Sequence, residues 1–261
     1  MRTLLLLTFL LTCPAAAFGQ TAAAPSFEEM ARQYDYDAKA LLDVREVGRQ
    51  HRDGATVIDF TYAGAGGGRV PAYLVEPQSA RGPFAAILYG HWMMPGSPLK
   101  NRREFLEEAL VMARAGAVSL LIDAPYNRPG FAPETEEMRE AAQSSEAARQ
   151  QVIDFRRGLD LLLARGGVDP GRVAYVGHSF DAHVGAILAG VEKRIGSFVL
   201  MAGLYADEEF VFDPENKEMV ALRGRVGEEA VRAYFRDYAW DDPVHFIGRS
   251  SPAHVFLQYG R

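Results

Sequence analysis

The sequence predicts an α/β fold, a mostly parallel sheet with helices on both faces. Two observations predict it. Short, continuous apolar runs recur at Phe84–Tyr89, Ala117–Ile122, Arg172–Val176, Ser197–Met201 and Ala253–Gln258, which is the pattern of strands buried on both faces. Between them lie segments of helical periodicity at Arg102–Gly116, Glu136–Arg165 and Ala182–Ala189. The composition agrees: 48% of the 261 residues are hydrophobic and 24% are charged, enough to bury one large core.

Upstream the pattern differs. Arg2, the apolar run Thr3–Thr12 and the small residues of Ala17-Phe18-Gly19 form the three-part pattern of an export signal over residues 1–19. The run is about half the ~20 residues a membrane span needs. A secreted or periplasmic location follows, with lipid anchoring at Cys13 as a minor alternative. Cys13 is the only cysteine, so disulfides, thiolate metal sites and a cysteine nucleophile are excluded from the exported chain. Residues 20–42 are expected to be a linker and a helix that Ser26 caps and that runs to about Asp43. Residues 43–261 form the main domain. Thr56–Tyr62 and Val70–Glu76 read as strands. The glycine-rich stretch Gly64-Ala65-Gly66-Gly67-Gly68 between them is a hairpin loop, because a phosphate-binding loop would open a helix and a strand follows instead.

The net charge of −6 is spread without any basic run, which gives a nucleic-acid partner no electrostatic footing. No stretch after the export signal is long and apolar enough to span a membrane. No cofactor is implied, and no histidine has metal-ligand spacing, so no metal site is expected. His178, His183 and His245 read as structural. The composition leaves the oligomeric state open.

The residues that carry chemistry are Gly177-His178-Ser179-Phe180-Asp181. A buried strand enters this turn and a small-residue helix leaves it. Such a turn lifts Ser179 above the sheet edge, and the N–H of Phe180 points where an oxyanion would form. The helix dipole adds positive potential there. Ser179 is therefore the candidate nucleophile and Phe180 the first oxyanion donor. Asp181 stands where the G-x-S-x-G pattern has its last glycine, and a charge there would oppose an oxyanion unless it is separated or paired.

With these residues the sequence resembles the α/β-hydrolase superfamily over about Asp43 to Arg261, and within it the dienelactone hydrolase and acetyl-xylan-esterase-like group, adjoining the prolyl-oligopeptidase catalytic domains. The resemblance rests on Val70-Pro71-Ala72-Tyr73-Leu74, Gly90-His91-Trp92, Ile122-Asp123-Ala124-Pro125, Gly177-His178-Ser179 and Val255-Phe256-Leu257-Gln258-Tyr259-Gly260, in that order. It implies a serine hydrolase acting on a small-molecule carboxylic ester. It also implies a second oxyanion donor in the Tyr89–Met93 loop. Trp92 is the first choice, with Met93 and His91 as rivals, and His91 and Met93 are expected to line the substrate pocket. The family order places the acid and the histidine after Ser179. By resemblance they fall beyond residue 261, together with the last strand and helix, and the chain as given is then inactive. A histidine within the chain would have to be His183 or His245, paired with Asp207, Asp241 or Asp242. The alternatives are a non-catalytic hydrolase-fold binding protein and, less favoured, a serine peptidase. Residues 204–247 are the candidate lid.

Overall fold

The computed structural model describes residues 25–64, 66–78 and 81–260. The stretch read as an export signal, with Cys13, lies outside the described residues. Eight strands form one sheet: β1 Arg45–Arg52, β2 Ala55–Ala63, β3 Arg69–Pro77, β4 Phe84–Gly90, β5 Ala117–Ile122, β6 Val168–His178, β7 Ser197–Met201 and β8 His254–Gln258. Their order is β1-β2-β3-β5-β4-β6-β7-β8. The first three are antiparallel, β3 meets β5 antiparallel, and every later pair is parallel. The glycine-rich stretch connects β2 to β3 as a hairpin, with Ala63 opposite Arg69.

The helices are α1 Phe27–Ala31, α2 Leu106–Arg114, α3 Glu137–Ala164, α4 Phe180–Val191, α5 Asp207–Phe212, α6 Lys217–Val226, α7 Glu228–Asp237 and α8 Val244–Ile247. The buried residues Ala148, Val152, Phe155, Leu159 and Leu162 recur every three to four positions on α3 and press one stripe against the sheet. Beside α3 lies α4, whose Val184, Ile187 and Leu188 are fully buried. On the opposite face Ala109, Leu110 and Ala113 of α2 join Val57, Ile87 and Leu121 in a second core, where Phe105 stacks on Tyr89 at 5.2 Å. Under the β2–β3 loop, Arg128 donates to the fully buried Asp154 at 2.6 Å, and Gln150 bonds the same carboxylate at 2.8 Å.

The structure departs from the sequence reading at two places. The first helix stops at Ala31, one 3₁₀ turn follows at Arg32–Tyr34, and Asp35 is extended. Residues 35–42 are held as irregular chain because the buried Arg157 guanidinium donates to the carbonyls of Asp37, Leu41 and Ala63 at 3.3, 3.1 and 2.9 Å. Those bonds replace the ones a longer helix would make. The second departure is β1, whose charged sequence REVGRQHR shows no apolar alternation. As an edge strand it buries almost nothing.

Candidate active site

β6 delivers the chain to Ser179, and α4 begins at the next residue. Ser179 has φ 53° and ψ −108°, a left-handed conformation that only a sharp turn requires. The Ser179 N–H donates to the Met201 carbonyl at 2.8 Å, which pins the turn to the end of β7. Its own carbonyl accepts the N–H groups of Ala182 and His183, so the helix ladder starts at the serine. The N–H of Phe180 lies ahead of that ladder, in the first turn where helix donors have no intrahelical acceptor.

Asp181 is fully buried directly behind this turn. The room comes from strand β4, where a Cβ on Gly90 would lie 2.5 Å from the Asp181 Cβ. The close approach that the last motif glycine usually provides is thus moved to Gly90. Burial pushes the Asp181 carboxyl well above the usual carboxylate range, against the opposing pull of Gln151, the His91 backbone and the Arg128 charge. That direction favours the neutral form of the acid beneath the serine.

The loop after β4 is tied to the turn through Glu104. One Glu104 oxygen accepts the Trp92 N–H at 2.7 Å, and the other bonds His178 Nδ1 at 2.6 Å. The Trp92 ring stacks on the His178 imidazole with centroids 5.0 Å apart. This corrects the choice of Trp92 as second oxyanion donor, because its N–H is already spent on Glu104. His91 also needs correction. It is 2% exposed and does not line the pocket. Its Nε2 accepts the Ala124 N–H at 3.0 Å, and its Nδ1 lies 2.9 Å from the Trp92 carbonyl. Burial holds its pKa down at about 4, so it is a neutral strut between two loops.

Ser179 opens into a cavity of about 430 Å³. Met93, Phe180 and Leu204 form its apolar part. The opposite wall carries Tyr234, which shares a 2.5 Å hydrogen bond with Ser145 of α3, and the group His183, Asp207 and Asp241. His183 Nδ1 lies 3.5 Å from Asp207, and its Nε2 lies 3.7 Å from Asp241. Burial pulls this imidazole down, but the carboxylates of Asp241 and Asp207 outweigh it and raise its pKa to about 9. Burial also raises Asp207 to about 6. Each His183 nitrogen thus faces a carboxylate at ion-pair distance, and the protonated imidazole is favoured at neutral pH. Of the two histidines weighed within the chain, His183 alone meets aspartates at the cavity. Residues 204–247 supply Leu204, Asp207, Tyr234 and Asp241 to the cavity wall. The same segment also contributes to the core, because Phe246 is fully buried and Trp240 meets the buried Tyr34.

Glu104 escaped the sequence reading. It lies 74 residues from His178, and nothing local to its helical segment marks it. The neighbourhood of Asp207 after β7 was a weak signal, and only the fold brings it to His183.

No family model matches the chain, and no curated protein matches it. Solved structures do match. The acetyl xylan esterase from Paenibacillus sp. R4 superposes with a TM-score of 0.64 at 16% identity, over 90% of this chain and 86% of that one. Acetyl xylan esterase 1 from Thermoanaerobacterium sp. JW/SL YS485 gives 0.65 at 14% identity, with the same coverage. The glucuronoyl esterase from Solibacter usitatus gives 0.56 at 14% identity, over 89% of this chain and 73% of that one. This chain therefore shares its architecture with these esterases.

Proposed function

We propose that this chain, which has the α/β-hydrolase fold, hydrolyses a small carboxylic ester with Ser179 as nucleophile. The observation that carries the reading is the left-handed Ser179 at the β6–α4 turn, facing a cavity from the N-terminus of a helix. Attack by the hydroxyl turns the ester carbonyl into an oxyanion. The Phe180 N–H meets that charge, reinforced by the α4 dipole. The Met93 N–H takes the second position in place of Trp92, since the Met93 side chain already lines the cavity. Burial of Asp181 favours its uncharged form, which lessens repulsion of the oxyanion.

The cavity suits a short acyl group against Met93, Phe180 and Leu204, with a polar alcohol part against Tyr234 and the His183 group. The acetyl xylan and glucuronoyl esterases among the structural neighbours support an ester on a carbohydrate as the substrate class. Export through residues 1–19 would place the enzyme where such substrates occur. No helix among the described residues is long and apolar enough to cross a membrane.

The test is labelling of the purified full chain by a fluorophosphonate probe, with p-nitrophenyl acetate turnover alongside. Labelling that disappears in Ser179→Ala supports the reading. Labelling that survives the substitution refutes it. A chain that binds acetyl esters without labelling or turnover is the binding protein instead.

A further inference from the structure

We infer that Asp207 and Asp241 form an acidic subsite in the Ser179 cavity, which takes an ester whose alcohol part carries an ammonium group and turns away one whose alcohol part is anionic. The subsite belongs to the site proposed above and rests on Ser179 being the nucleophile there.

Three observations carry it. First, both carboxyls line the same cavity of about 430 Å³ as Ser179. An ester with its carbonyl at Ser179 therefore shares that space with them.

Second, the carboxyls have acceptor capacity to spare. The Asp241 side chain is only 9% exposed, yet its buried Oδ1 has no hydrogen-bond donor. The buried Oδ1 of Asp207 has none either. His183 stands 3.5 Å from the other Asp207 oxygen and 3.7 Å from Asp241 Oδ1, which is ion-pair contact and leaves both Oδ1 atoms without a donor. A buried acceptor left in that state costs free energy, and an ammonium N–H supplies the bond in its strong, charge-assisted form.

Third, acidic groups outnumber basic ones. No lysine or arginine lines the cavity, and His183 is its one basic side chain. Against that imidazole stand Asp207, Asp241 and the nearby Asp242, all three of which act on its charge. Asp242 is itself occupied by the N–H groups of Glu208 and Val244. A guest cation brings the group closer to balance. A guest anion enters a field of its own sign, inside a pocket where low-dielectric walls strengthen that field.

The subsite makes and breaks no bond. Ser179 remains the reacting group, and Asp207 and Asp241 decide which alcohol is held while it reacts.

The experiment uses the purified full chain at pH 7 and a matched series of inert ligands: 3-(aminomethyl)phenol, 3-hydroxybenzyl alcohol and 3-hydroxybenzoate. They share one ring and differ in charge. Calorimetric titration should show the ammonium ligand bound about tenfold tighter than the neutral one, and the anion weaker still. Asp207→Asn and Asp241→Asn should each cut the ammonium advantage by about threefold or more, with neutral-ligand affinity unchanged. In turnover, the kcat/KM ratio of 3-(trimethylammonio)phenyl acetate to 3-acetoxybenzoate should fall about tenfold in Asp207→Asn. The intrinsic reactivities of the two esters cancel in that comparison. The parent titration decides the matter even if a variant does not fold. Equal or undetectable binding across the series overturns the subsite, and so does an ammonium advantage that survives intact in both folded variants. Selective binding together with labelling that survives Ser179→Ala strikes the nucleophile reading and leaves the acidic subsite standing as a binding site.

Discussion

Replacing His183 by glutamine removes the imidazole that faces Asp207 and Asp241 from α4. The magnitude follows from proton linkage. Folding raises this imidazole from 6.5 to about 9, so the folded protein holds its proton more tightly than the unfolded chain does. A group raised in this way contributes its stability in full below pH 6.5 and loses it as pH rises through about 9. The contribution amounts to about 3 kcal/mol at its fullest and about 2–3 kcal/mol at pH 7. Asp207, raised from 3.8 to about 6 by burial, has the same sign in an earlier window and loses stability between those two values. Urea unfolding of the parent and of His183→Gln at pH 6.5, 7.5, 8.5 and 9.5 separates the linked part from any constant cost of the substitution. The gap between the two proteins should shrink by about 2–3 kcal/mol across that range. A gap that stays constant with pH would refute the ion-pair account of His183 and leave it a packing residue.

Other substitutions probe the same architecture. Gly90→Ala drives a methyl group into Asp181 and the Tyr175 hydroxyl, and denaturant midpoints should show a loss of at least about 1–3 kcal/mol. Burial favours the neutral form of Asp181, so fluorophosphonate labelling rates of Asp181→Asn should stay within about twofold of the parent between pH 6 and 8. A marked rise in rate would mean that the carboxyl is charged. Asp154→Ala leaves the Arg128 guanidinium without its buried partner and should cost about 3–5 kcal/mol in urea unfolding. Ala202, at φ 52° on the cavity floor, should give a protein more stable by up to about 1 kcal/mol when changed to glycine, read as a higher melting temperature.

Much of the fold was legible because parallel strands buried on both faces write themselves as unbroken apolar runs. Ala117–Ile122 and Ser197–Met201 match the observed strands end to end. Elements at the margins were not legible. β1 is charged because its surroundings are water, and the chain at 35–42 owes its shape to Arg157, more than a hundred residues away. The site divides in the same way. The turn at Ser179 and Phe180 is readable because one short stretch encodes strand, turn and helix. What surrounds them is assembled across the sheet. Glu104 takes the Trp92 N–H, Gly90 makes way for Asp181, and Asp207 and Asp241 close on His183. Each of these is a tertiary contact between residues that carry no local mark. The resemblance to esterases pointed to the loop after β4 for a second oxyanion donor, but whether the Trp92 amide there stays free depends on where Glu104 points.

The backbone at Ser179 has a thermodynamic implication. Glycine reaches φ 53° without strain, whereas a serine held there costs on the order of 1–3 kcal/mol at all times, whether or not substrate is present. Exchange for glycine would therefore be a gain for the fold taken alone. The serine is the less comfortable tenant of its own position, a strain of the kind that clusters at functional sites.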